Sequence, residues 1–410
     1  MKILFLTPQI PYPPRQGAAL RNWGLISGLA HRHDVAILSF VSGMRNDSAD
    51  GLTDEENREG SADILHQTCR VETVPLPARS LSGRLRDLLI TRQPDMALRL
   101  ASEAYARCLA DWLARETFDV VQIGGIEMAP YLDGLEKARP RPLIVFDNLN
   151  CEYLLQKRAF LTDLRAPRRW VGAAYSFVQW QRLRCYEAQV CRRADRVVAV
   201  STKDAAMLED LVPGMDVSVV PNGIESAAYS VAIEQKESHI LVFTGAMDFR
   251  PNVDAVLWFA RYVLPLIQAE VPDVHLLAVG QRPHRRLEPL RADPAVTLTG
   301  WVAETQPYIA RAAVCIAPLR IGGGTRLKLL EAMAMGKALV STRLGAEGYP
   351  VEDGRELLLA DAPEAFAAAV VALLRDPERR IALGRNARTF VEEQYDWRHI
   401  VPRLEAVYVS

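Results

Sequence analysis

Pro318-Leu319-Arg320-Ile321-Gly322-Gly323-Gly324-Thr325-Arg326-Leu327-Lys328-Leu329-Leu330-Glu331-Ala332-Met333-Ala334-Met335-Gly336 is the stretch on which the reading of this chain turns. The apolar run Val314–Ala317 leads into it, three glycines follow, and a helix is expected to begin near Thr325, whose hydroxyl can cap the first turn. Glycines let a backbone approach a ligand closely, and the free amides of a helix start favour an anion there. Arg326 and Lys328 bring two positive charges to that same end, where the helix dipole disfavours them. A bound anion such as a diphosphate resolves the conflict. Glu331 sits among Leu329, Leu330, Ala332 and Met333, and a carboxylate in such surroundings needs partners. The hydroxyls of a nucleotide's sugar suit it, as does an ion pair with Lys328 three residues earlier.

Outward from this stretch, short apolar runs alternate with helical spacing along the whole chain. Ile3–Thr7, Val35–Phe40, Val120–Ile123, Leu143–Phe146, Val197–Val200 and Val217–Val220 form a first series, with helices expected near 17–30, 96–115, 150–163, 170–192 and 203–211. Ile240–Thr244, Val274–Val279, Val314–Ala317, Ala338–Ser341 and Leu357–Leu359 form a second, with helices near 253–270, 325–335, 363–375 and 378–393. Several runs lack polar alternation, as strands covered on both faces do. The expectation is α/β: two doubly wound, Rossmann-like domains, 1–225 and 226–395, joined near Ile224–Ser238, with the chief site in a central cleft at the strand C-termini. Residues 396–410 are expected to form a helix packing back on the first domain.

Composition narrows the function. The 410 residues suffice for two cores, and 49% hydrophobic with 24% charged residues is ordinary globular composition. With 49 Lys+Arg against 50 Asp+Glu there is no overall electrostatic case for nucleic acid. The six cysteines form no C-x-x-C pair, which argues against a disulfide framework or structural zinc and fits a cytoplasmic location. No run reaches the ~18 apolar residues of a membrane span. No P-loop, no G-x-G-x-x-G after the first strand, no H-E-x-x-H and no Asp-x-Asp occur, so a dinucleotide enzyme, a zinc hydrolase and a carboxylate-held Mg²⁺ are disfavoured. No metal and no cofactor are expected.

Other stretches agree with the first in the order of a known family. They are Ala194-Asp195-Arg196-Val197-Val198-Ala199-Val200-Ser201, Val220-Pro221-Asn222-Gly223-Ile224, Phe243-Thr244-Gly245-Ala246-Met247-Asp248-Phe249-Arg250-Pro251-Asn252 and Tyr395-Asp396-Trp397. Together with Gly322–Gly336, they resemble the retaining glycosyltransferases of family 4, whose architecture is GT-B, two facing Rossmann-like domains. Met247–Asn252 and Gly322–Lys328 look most like the sugar transferases of bacterial exosortase and exopolysaccharide loci.

The resemblance implies transfer of a sugar from a UDP- or GDP-sugar to a glycan or lipid-linked acceptor, with retention and without a required metal. Glu331 matches the second glutamate of the family's E-x7-E pattern, the one that holds the donor ribose; Gly323 stands in the place of the first. Gly17 lies where the family has glycines facing the donor phosphates, with Ala18 second. Ala246 follows Gly245 where the family commonly has a cation, and the nearest is Arg250. The leaving-diphosphate role therefore falls to Arg326 and Lys328, with Gly245, Arg250, Gly322, Gly323, Gly324, Thr325 and Glu331 around the donor. The family's histidine of the first domain is missing from Asp119–Glu127, and Leu149 takes the place of another. Glu127, Asp147 and Glu152 are the acceptor-side candidates. A nucleotide-sugar epimerase of the same plan and a non-catalytic sugar-nucleotide-binding protein are the alternatives.

One stretch stands apart. Lys157–Arg196 carries ten basic residues, with Trp170, Val171, Tyr175, Phe177, Val178 and Trp180 interleaved. A basic amphipathic helix on an anionic membrane, at its inner face, is one reading. A solvated helix with its aromatic side in the core is the other, and the commoner arrangement.

Overall fold

The apolar runs align as two sheets in the computed structural model, which describes residues 1–14, 17–41, 63–164, 170–229 and 239–410. In the first sheet lie β1 (Lys2–Thr7), β2 (Asp34–Val41), β3 (Arg70–Pro75), β4 (Val120–Gly124), β5 (Leu143–Asn148), β6 (Arg196–Ala199) and β7 (Val217–Val219), in the order β3-β2-β1-β4-β5-β6-β7. Its helices include α1 (Gly17–Ala30), α2 (Leu81–Ile90), α3 (Glu152–Leu164) and α4 (Trp170–Arg193). The second sheet holds β8 (Ile240–Thr244), β9 (His275–Val279), β10 (Val296–Gly300), β11 (Val314–Ala317), β12 (Leu339–Ser341) and β13 (Leu358–Leu359), in the order β10-β9-β8-β11-β12-β13. Helices α5 (Arg250–Trp258) and α6 (Leu327–Ala334) belong with it, and α7 (Trp397–Val409) ends the chain. Every strand pairing in both sheets is parallel.

Each order reverses once, at β1/β4 and at β8/β11, and a doubly wound sheet opens a crevice for ligands beyond the strand C-termini at such a reversal. The chain divides into Met1–Pro221 with Ile400–Ser410, and Asn222–His399. The crossings fall a few residues from the expected 225/226 and 395/396. In the first unit, Tyr408 of α7 donates a hydrogen bond to Gln122 of β4, and Gly28 of α1 leaves room for Val401.

Central strands were legible because both faces are covered: Ile3, Leu4, Phe5 and Leu6 of β1 are all buried. The edge strands β3 and β10 escaped the reading. Arg70-Val71-Glu72-Thr73-Val74-Pro75 and Val296-Thr297-Leu298-Thr299-Gly300 alternate polar with apolar residues, since an edge is only half covered. The expected helix 96–115 is two helices, Asp95–Arg99 and Glu103–Arg115, because the Ser102 hydroxyl accepts from the Tyr105 amide and starts a new helix. The helix expected over 253–270 begins at Arg250 and passes through a π turn, Phe259–Val263, just before Pro265, which has no N–H to offer the ladder.

The largest departure concerns α4. Its inward positions in the first half are Ala173, Ser176 and Gln179, whereas Trp170, Val171, Tyr175, Phe177 and Val178 point outward. The arrangement with the aromatic side in the core is therefore overturned for this half of the helix. Arg165, Arg168 and Arg169 of the same stretch lie outside the described residues, as do residues 230–238 of the expected linker.

Candidate functional site

In the second unit, β8 and β11 end at the reversal of strand order, and each delivers a glycine there. Gly245 follows β8 with φ 146°, a conformation that side chains disfavour, and a Cβ on it would stand 2.6 Å from Asn252 Nδ2 and 2.8 Å from Lys328 Nζ. Glycine at 245 is what lets the lysine amine reach the end of β8. After β11 the loop turns through Gly322 (φ 113°) and Gly324 (φ 71°). A Cβ at Gly322 would lie 3.2 Å from Arg326 Nη2, so the guanidinium lies against that glycine. Arg326 also donates to the carbonyls of Gly323 and Gly324.

Thr325 is not the cap of the following helix. Arg326 holds that position in extended conformation, α6 starts at Leu327, and no side chain caps it. The Thr325 hydroxyl instead accepts from Asn222 Nδ2 at 2.7 Å. The first turn of α6 carries no acid, so its amide end and both cations share one place.

Lys328 is half-buried. Its Nζ donates to Asn252 Oδ1 at 2.9 Å and lies 3.9 Å from the centre of the Phe243 ring. Asn252 in turn donates to the Ala246 carbonyl, which fixes the amide's orientation. Burial pulls the Lys328 ammonium down to about 7; the neighbouring Arg326 charge adds to this and Glu331 opposes it. One turn on, burial pushes Glu331 up to about 7, partly offset by Lys328. The two make no direct ion pair, so the internal pairing open at the sequence level is not the arrangement found. Arg250 begins α5, and Pro251 beside it packs against Gly322.

Some participants were not legible. Asn252, Phe243 and Asn222 place the cations and the loop, and their only signal was membership of the quoted stretches. An open groove beyond β10, lined by Trp301, Val302, Glu304, Tyr308 and Arg311, was also missed. Tyr229 lies between Gln306, at the start of the helix flanking that groove, and Glu331.

In the first unit, Gly17 is the exposed first residue of α1. Asp147 is wholly buried: Arg21 donates to it through Nε (3.0 and 3.2 Å) and Nη2 (2.8 Å), and Gln122 through Nε2 (3.1 Å). With both oxygens engaged, Asp147 holds α1 to β5 and is corrected from an acceptor-side group to a structural one. Glu127, in the 3-10 turn after β4, pairs with Arg99, and burial raises its pKa against that charge. Glu152 opens α3 and is pushed up to about 8 by burial, then by the charges of Glu187 and Glu127. Glu187, also unforeseen, is buried in α4 and accepts from Asn148 Nδ2 (2.7 Å) and from the amides of Glu152 (3.3 Å) and Tyr153 (3.0 Å). It thereby satisfies the free amides of the α3 N-terminus. Burial pushes it up to about 7.

Two family models match the chain, the glycosyl transferase 4-like domain over residues 16–223 and the glycosyl transferases group 1 over 238–376. An uncharacterized 44.6 kDa protein of the cps region of Klebsiella pneumoniae is 26% identical over 38% of this chain and 42% of its own. A phosphatidyl-myo-inositol mannosyltransferase of Mycolicibacterium smegmatis is 31% identical over 48% of this chain and 52% of its own. The chain thus spans about half the length of these relatives or less. Among solved structures, HepE of Anabaena, determined in complex with UDP and glucose, superposes with a TM-score of 0.68 at 16% identity, covering 100% of both chains. That likeness speaks for the fold: a two-domain α/β protein of the GT-B class. With one of the two family models covering half of its length, the chain belongs to the glycosyltransferases, carrying the 4-like domain followed by the group 1 domain.

Proposed function

We propose that the chain transfers a sugar, with retention, from a UDP- or GDP-sugar to a glycan or lipid-linked acceptor in polysaccharide biosynthesis. The observation that carries this is the convergence of Gly245, Gly322–Gly324, Arg326, Lys328 and Glu331 at the strand reversal of the second unit. The diphosphate lies at the amide end of α6 against Arg326 and Lys328, with Arg250 assisting from the start of α5. Glu331 accepts from the ribose hydroxyls, a role supported by its carboxylate lying among buried apolar residues of α6 with no donor to it among the described residues. The base extends toward the Trp301–Arg311 groove, which Tyr229 joins to Glu331.

Chemistry at this site is separation of charge. As the bond from the anomeric carbon to the diphosphate oxygen breaks, the two cations stabilise the negative charge that develops, and they were oriented beforehand by Asn252 and the glycine carbonyls. The departing phosphate oxygen accepts the proton of the acceptor hydroxyl as the new bond forms on the same face. Glu127 and Glu152 are proposed to contact the acceptor. No step calls for a metal, so activity is expected to survive EDTA; a complete loss restored by Mg²⁺ contradicts this mechanism. The assignment to exosortase- and exopolysaccharide-type transferases rests on Met247–Asn252 and Gly322–Lys328, and the cps-region relative supports a polysaccharide role.

A thermal-shift panel of UDP-, GDP- and ADP-sugars tests the proposal, because a ligand of the native state alone raises its melting temperature. A shift with a uridine or guanosine diphosphate sugar, and an α-linked product from an α-linked donor, are expected. No shift with any of them, or conversion of the donor without an acceptor, overturns it.

A further inference from the structure

The hairpin of α3 and α4 is turned inside out relative to an ordinary surface helix pair. Val171 is 88% exposed, Trp170 60%, Leu164 51%, Leu161 46% and Phe177 43%, while Ala173, Ser176 and Gln179 face inward. These apolar side chains belong to one end of the hairpin, where the Trp170 indole donates to the Leu164 carbonyl at 3.3 Å. Phe160, Phe177 and Trp180 pack together beneath, with ring centres 5.4–6.0 Å apart, and hold the two helices to each other. A side chain as large as Trp170 or Val171 left in water gains nothing in a monomer, and clustered apolar exposure marks a surface that something covers.

Charge says what covers it. Between Tyr153 and Tyr186 the sole acid is Asp163, and it is buried. Lys157, with its amine 5.5 Å from the Trp180 ring, and Arg158 stand about one to two helical turns from Leu161 and Leu164 on α3, and Arg182 and Arg184 about three to four turns from Trp170 on α4. Beside α4, Arg84 and Arg86 of α2 are already paired with Asp95 (3.1 Å) and Asp87 (3.6 Å), so the basic charge belongs to the hairpin itself. On the hairpin the order is therefore an apolar end followed by basic residues, with no exposed acid between Tyr153 and Tyr186. The same hairpin on a second copy offers these basic residues no opposite charge, whereas an anionic lipid surface offers both an apolar interior and a negative boundary. We infer that the α3–α4 hairpin is a docking element for an anionic bilayer, its Trp170, Val171, Leu161 and Leu164 entering the acyl boundary and Lys157 and Arg184 lying at the headgroups. The inference deepens the lipid-linked acceptor of the proposed function and rests on that reading for its purpose; its geometry stands independently of the donor site.

Flotation of the full chain with phosphatidylcholine vesicles, with and without phosphatidylglycerol, tests this. Binding is expected only with the anionic lipid and is weakened by salt. The paired change Lys157→Glu and Arg184→Glu is expected to lower it at least ~10-fold at low ionic strength, each basic residue near such a surface counting for about five-fold. Trp170→Ser with Val171→Asp is expected to abolish it, with circular dichroism and the nucleotide-induced thermal shift unchanged. Trp170→Phe keeps the bulk and the fold, and is expected to remove the part of the fluorescence that brominated lipids quench. Wild-type protein that ignores anionic vesicles, apolar-end variants that float equally well, or quenching that survives Trp170→Phe each overturn the inference. So does concentration-dependent self-association that the Trp170→Ser and Val171→Asp pair dissolves, since a second copy is then the occupant. Because flotation needs no donor, a failed thermal-shift panel and a failed flotation are separate results.

Discussion

Lys328 and Glu331 are each poised near neutrality for the same reason, half-burial of a charge, and their opposite signs fix a pH profile. In the proposed role Lys328 would hold a diphosphate only when protonated, and it loses its proton as pH rises through about 7. In the proposed role Glu331 would accept strongly from ribose only when ionised, and it gains a proton as pH falls through about 7. Donor affinity is therefore expected to peak near pH 7 and fall on both sides. Calorimetric titration across pH should show the alkaline limb vanish in Lys328→Ala and the acid limb vanish in Glu331→Gln. A flat profile in the wild type removes both groups from the site. Arg326→Ala and Lys328→Ala are each expected to lower turnover at least ~100-fold, the scale of losing one preorganised partner of a developing oxyanion; wild-type rates with saturating donor contradict that. The residue types at 326, 328 and 331 were legible from sequence because cations at a helix start and a carboxylate in an apolar helix are local conflicts. The partner of Lys328 was not, since Asn252 lies far along the chain and meets it only once β8 and α6 are side by side.

At the level of elements, the glycine after β8 controls whether the helix after β11 can deliver its lysine. Gly245→Ala combines a disfavoured φ of 146° with a Cβ in the space of Asn252 and Lys328. Local backbone strain of this kind costs about 1–3 kcal/mol. The expected result is a lower melting temperature together with donor affinity reduced at least ~10-fold, as the Lys328 amine would be displaced from the proposed diphosphate position. Unchanged affinity with unchanged melting means that the close approach does not matter. Buried strands and long helices could be read from apolar runs, because full burial on two faces leaves no room for polar residues. Edges, caps and faces could not. β3 and β10 share their alternation with loops and exposed strands, and the start of α6 moved by two residues because a loop held by Arg326 outweighed the capping preference of Thr325. The outward face of α4 was hidden for a further reason: spacing tells which residues share a side of a helix, and only packing tells which side is covered.

At the scale of the whole molecule, the first of the two parallel sheets depends on one buried ion pair. Arg21 reaches Asp147 on one side and the carbonyls of Val220 (2.9 Å) and Pro221 (3.0 Å) on the other, where the chain leaves the first unit. Asp147→Ala strands the arginine charge inside and is expected to cost about 3–5 kcal/mol of stability. Nucleotide binding by the second unit should persist below the lowered melting temperature. A melting temperature equal to wild type shows that Arg21 finds other partners. In the proposed function the second unit binds a nucleoside diphosphate sugar through the loop Gly322–Gly324, Arg326, Lys328 and Glu331. Isothermal titration of wild type, Lys328→Ala and Glu331→Gln with the best nucleotide sugar tests it most directly. Binding by the wild type is expected, with a loss of about 1.5–3 kcal/mol for Glu331→Gln, the scale of hydrogen bonds to a charged group, and at least a comparable loss for Lys328→Ala. Equal affinity in all three proteins would contradict it.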